Sequence, residues 1–161
     1  MCIRDRKEEI ERLAEKLMCA AIRYYMLKQN VTKVLVFDFN KALRFDGDTG
    51  IYLQYAMVRA KNILKRCSRE AGIRELEEGE WKLVRKLLEA ELVLEHAKNS
   101  LDLSVLTDYA IELAKTFTEF YHECRVAGSE REDVRRAVVE SFIKVLSVLF
   151  YVLGIPEVEK M

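Results

Sequence analysis

Apolar residues recur at helical spacing through most of this chain, with charged residues filling the positions between them. Ile10, Leu13, Ala14, Leu17, Met18 and Ala21 mark one face of a helix predicted over Lys7 to Lys28. A second periodic stretch starts near Ile51 and runs to Arg66, turning Leu53, Ala56, Ala60, Ile63 and Leu64 inward. Three more follow: Gly79 to Ala97, Asp102 to Cys124, and Glu130 to Leu153, the last stopped by Gly154 and Pro156. Between the first two helices, Val31 to Phe37 is β-branched and reads as a strand or extended segment, which cannot form a sheet alone and has to dock on something else. Phe45 to Gly50, with two glycines and two aspartates, reads as a hinge. Four long amphipathic helices with short connections after that hinge predict an all-α fold, an up-and-down helical bundle.

Composition narrows the class without naming a chemistry. At 161 residues, 50% hydrophobic and 34% charged, the chain has the size and balance of one globular domain. No apolar run is long enough to cross a bilayer, and Met1 to Arg6 lacks the features of a signal peptide, so a cytoplasmic location and monomeric behaviour are expected. That hexapeptide reads as a non-native leader and is set aside in predicting the fold. Cys2, Cys19, Cys67 and Cys124 are widely separated and read as small buried hydrophobes. His122 and Cys124 match no zinc spacing, so no metal site is expected. Asn30-Val31-Thr32 has the form of a glycosylation sequon but lacks a secretory context.

Charge changes the picture at one place. The totals, 27 basic and 27 acidic residues, argue against a general polyanion binder. Yet Ile51 to Arg69 holds Arg59, Lys61, Lys65, Arg66 and Arg69 with no acid, whereas Gly72 to Leu94 carries six glutamates. The positive helix also bears Tyr52, Tyr55 and Arg59 at i, i+3 and i+7, on one face. Two flat rings and a guanidinium fork are what unpaired RNA bases and phosphates bind. The same spacing also suits core tyrosines whose hydroxyls find partners at the rim.

Wider sequence around this stripe carries a resemblance. Asp46-Gly47-Asp48-Thr49-Gly50 followed by Tyr-Leu-Gln-Tyr-Ala-x-x-Arg resembles the junction in arginyl-tRNA synthetases where the catalytic domain passes into the helical DALR anticodon-binding domain. Phe120 to Gly128, and the ending Val152 to Met161 with its Leu-Gly-Ile-Pro run and terminal Lys-Met, are similar to further blocks of that family in the same order. The resemblance implies three parts: a leader at 1–6, the end of a catalytic domain and its stem at 7–46, and a DALR bundle at 47–161. It implies recognition of the anticodon loop of tRNA(Arg), with Tyr52, Tyr55, Arg59, Tyr121 and Met161 as contacts.

The parent reaction implied joins arginine to tRNA using ATP with Mg. The chain lacks the motifs for it. His96 and His122 have no glycine beside them, and no Lys-Met-Ser-Lys-type loop occurs, so the chain is expected to lie downstream of the active site and to be inactive alone, with no catalytic residue and no cofactor of its own. Two positions depart from the family pattern: Ile51 stands where proline is frequent and Met57 where histidine is, and neither touches the tyrosines or Arg59. Two alternatives remain, a free-standing DALR-type module that binds tRNA and a structural bundle for protein contacts.

Overall fold

The computed structural model describes residues 3–30, 32–44 and 47–161, with side chains from Lys7 onward. Val31, Phe45 and Asp46, and with them the start of the predicted extended segment and part of the hinge, lie outside the described residues, as does Cys2. Seven helices are present among the described residues: α1 Ile3–Leu27, α2 Phe39–Ala42, α3 Gly50–Leu64, α4 Glu78–Leu88, α5 Ala90–Ser100, α6 Ser104–Glu123 and α7 Glu132–Leu153. The all-α bundle read from the periodicity is therefore correct in class, with two differences.

The first concerns Val31 to Phe37. No strand forms among its described residues, and Val34 and Val36 stand 94% and 79% exposed. A lone strand has no ladder to complete. Asp38 instead ends the stretch by capping the short α2, accepting hydrogen bonds from the backbone N–H groups of Asn40 and Lys41. Phe37 packs edge-on against Tyr25 and Phe39. The second difference is the predicted helix from Gly79 to Ala97, which is two helices divided at Glu89. The Lys86 carbonyl, the acceptor residue 90 would use in an unbroken helix, takes the Tyr109 hydroxyl of α6 at 2.6 Å.

Helix α3 lies at the centre, packed by α1, α6 and α7, while α4 rests on α6 and α7 and α5 on α6. Leu53, Ala56, Met57 and Ala60 of α3 are buried, and the Phe117 and Phe142 rings of α6 and α7 stack at 4.0 Å. The start of α3 is fixed twice. The Thr49 side chain accepts from the Tyr52 N–H at 3.2 Å and donates to the Arg44 carbonyl at 2.9 Å. Gly50 lets α1 approach, since a Cβ there would meet the Ala20 carbonyl oxygen at 2.2 Å. Helix α7 ends at Gly154, φ +64°, and the Ile155 N–H returns to the Phe150 carbonyl at 2.8 Å, which turns the last residues back across the bundle.

Candidate nucleic-acid interface

Tyr55, Val58, Arg59, Asn62 and Ile63 of α3, with Arg66 just past its end, form one wall of a cleft of about 900 Å³. The end of α6 and the loop after it, Tyr121 to Ala127, form the opposite wall, and Met161 closes one side. Four of the five residues expected as contacts meet here: Tyr55, Arg59, Tyr121 and Met161. The Arg59 guanidinium stands 4.5 Å from the Tyr55 ring centre and 4.3 Å from that of Tyr121, and donates to the Tyr55 hydroxyl. Both rings and Met161 remain 38–44% exposed. The arrangement is an accessible aromatic pair organised around one cation, the opposite of a sealed core cluster.

Tyr52 has a different place. It shares the helical face but sits a turn nearer the N-terminus, beside α6, where its hydroxyl meets the Thr118 hydroxyl at 3.0 Å and its ring packs on the core. It does not line the cleft. The cleft also contains residues not expected as contacts. Asn62 and Arg66 stand three and seven residues past Arg59, the end of α6 supplies His122, and the loop supplies Arg125. The first two followed from the same periodicity, extended by two turns. Arg125 gave no such signal, because only the packing of α6 against α3 brings its loop across.

Electrostatics around the cleft are one-sided. Arg59, Arg66 and Arg125 line it without any Asp or Glu. Four of the six glutamates of Gly72 to Leu94 are engaged elsewhere, Glu78 with Arg85, Glu89 with Lys86, and Glu77 and Glu80 with Arg131 and Arg135. Glu80 is fully buried; burial raises its pKa, but hydrogen bonds from Arg131, the Glu77 N–H and Arg135 outweigh that and hold it at about 2. Arg135 also donates to the Arg125 carbonyl at 2.9 Å, tying this network to the loop of the cleft.

A second buried carboxylate fastens the two walls together. Glu132 accepts from the N–H groups of Ser68 and Arg69 at 2.6 and 2.7 Å and from that of Gly128. Hydrogen bonds from Arg69 and Gly128, working against burial, bring its pKa down to about 2. The backbone behind both walls is therefore tied through one carboxylate, and the side chains of the cleft stand on that support. No group of three His, Cys, Asp or Glu among the described residues could hold a metal ion, and no described helix is long and apolar enough to cross a membrane.

Comparison with known proteins identifies the family and the fold. The model of the DALR anticodon binding domain matches residues 53–161. The arginine–tRNA ligase of Clostridium beijerinckii is 35% identical across 96% of the chain, which spans 29% of that ligase's length. Among solved structures, arginyl-tRNA synthetase of Thermus thermophilus superposes with a TM-score of 0.81 at 31% identity, over 88% of this chain and 26% of its own. That of Plasmodium falciparum gives 0.84 at 25% identity, over 98% and 31%. The resemblance carried by the three sequence blocks is thereby confirmed, and the chain belongs to the DALR anticodon-binding domain family.

Proposed function

We propose that this chain is the anticodon-recognising part of an arginine–tRNA ligase. The observation that carries the reading is the Arg59 guanidinium set against the Tyr55 and Tyr121 rings on the wall of a cleft lined by no Asp or Glu side chain. Splayed anticodon bases stack on the exposed rings, Arg59 donates to a phosphate or a base edge, and Met161 is an apolar cap at the rim. Arg66 and Arg125 attract the backbone of the loop. Tyr52 braces α3 against α6 through Thr118. Residues 47–161 form the recognition bundle, and residues 7–46 belong to the neighbouring part of the ligase.

The parent enzyme joins arginine to tRNA(Arg) with ATP and Mg in the cytoplasm. The residues present here do not fit that chemistry: neither histidine has a glycine partner and no acidic or histidine cluster converges among the described residues, so no step of it is assigned to this chain. The exposed apolar residues Val34, Val36 and Phe39 favour a part of a larger ligase over a free-standing module, since such side chains call for a covering surface.

The test is binding of the full chain to a labelled anticodon stem-loop of tRNA(Arg), followed by anisotropy. Weak binding that falls at least tenfold when anticodon bases are exchanged is expected, with whole tRNA(Arg) bound no more tightly than the stem-loop. Equal binding of all loops would reject anticodon recognition, and binding of none would leave the structural bundle. The coding sequence upstream of residue 7 decides between ligase and module, because a ligase has to encode its two nucleotide-binding motifs there.

A further inference from the structure

The C-terminal segment is held by a device that lies outside the cleft. Gln54 of α3 is fully buried, yet both ends of its amide are used. Its Nε2 donates to the Pro156 carbonyl and its Oε1 accepts from the Val158 N–H at 3.3 Å. One side chain thus pairs with alternate backbone groups of the tail, as a neighbouring strand would. Lys61, two turns further along the same face of the helix, pairs with Glu157 at 2.8 Å and Glu159 at 3.2 Å, and Lys16 of α1 donates to the Glu157 carbonyl at 3.0 Å. Ile155 and Val158 are buried against the bundle.

These anchors limit where Met161 can lie. Three residues beyond Val158 span at most about 10 Å, and the Glu159 ion pair shortens the free run further. Met161 consequently reaches the cleft beside Tyr55 and Arg59 and little else. We infer that Gln54 is a positioning residue for recognition: it clamps the tail so that Met161 forms a fixed wall of the RNA-binding cleft. The inference rests on the proposed anticodon reading for its consequence in RNA binding, whereas the clamp itself is measurable on the protein alone.

The experiment uses the full chain with its methionine methyl groups labelled for NMR, the Met161 signal being identified by its loss when residue 161 is deleted. In the parent protein this methyl is expected away from the position of a free chain end. In Gln54→Leu, with helical content retained, it moves to that position, anticodon stem-loop affinity falls about tenfold, and deleting Met161 as well adds no more than about twofold. An unmoved methyl, or losses that multiply in the double variant, would overturn the clamp. Glu157→Gln covers the case in which Gln54→Leu fails to fold. It makes the chain more positive, so general attraction would tighten RNA binding, whereas the clamp expects weaker binding and a shifted methyl; tighter binding with the methyl unmoved would refute it. A methyl that responds while the parent ignores anticodon RNA would keep the clamp and reject the anticodon reading.

Discussion

Replacing Tyr55 by Ala separates recognition from packing because the ring is 43% exposed and its polar and cation contacts are with Arg59. Losing an exposed cation–π contact costs about 0.5–1 kcal/mol of folding stability, a loss the remaining core tolerates. Losing a base stacked on the ring costs about 1–3 kcal/mol of binding, which is roughly a fivefold to 150-fold rise in Kd. The binding effect should therefore exceed the folding effect. Tyr55→Phe is the control: it keeps the ring, removes the hydrogen bond from Arg59, and should bind within about threefold of the parent, given the usual 0.5–1.5 kcal/mol of such a bond as an upper range shared between folding and binding. Arg59→Ala should lower affinity and also flatten the salt dependence by about one phosphate contact. Anisotropy with the anticodon stem-loop at several salt concentrations reads binding, and circular dichroism melts read folding. The reasoning fails if Tyr55→Ala folds and binds like the parent, or if Phe is as damaging as Ala.

Three further outcomes concern groups that support the bundle around the cleft. Glu80→Gln, which leaves Arg131 and Arg135 without their buried carboxylate, should lower stability by about 3 kcal/mol in urea unfolding, the low end for a broken buried pair because both arginines stay partly solvated. The pH dependence has a definite sign: Glu80 and Glu132 ionise at about 2 in the fold against about 4.5 when free, so their contribution is present above pH 4.5 and is lost as pH falls towards 2. The urea midpoint should drop across that window and drop less in Glu80→Gln; a flat midpoint would count against the network. Tyr52→Phe, which removes only the bond to Thr118, should cost about 1 kcal/mol of stability and leave stem-loop affinity within twofold, and a large affinity loss would return Tyr52 to the RNA surface.

The helices were legible because the burial that stabilises them writes its period into the sequence: Leu53, Ala56, Ala60 and Ile63 fall on the inner face of α3 as their spacing requires. What escaped were features decided across the bundle. Nothing in Leu87-Leu88-Glu89-Ala90 breaks a helix by propensity; the feature found at the break is the Tyr109 hydroxyl, twenty residues away on α6, which donates to the Lys86 carbonyl. The β-branched run Val34 to Phe37 has strand propensity but no ladder to join, and propensity alone does not satisfy backbone groups. The same limit applies within the site. Tyr52, Tyr55 and Arg59 are equivalent by angle around α3, yet height along the helix separates them, since Thr118 of α6 meets Tyr52 and Tyr121 meets Arg59. Periodicity gives the face of a side chain and says nothing of what crosses that face. The cleft is the product of that crossing, so Arg125 and Met161, remote from α3 in sequence, are as much a part of it as the stripe itself.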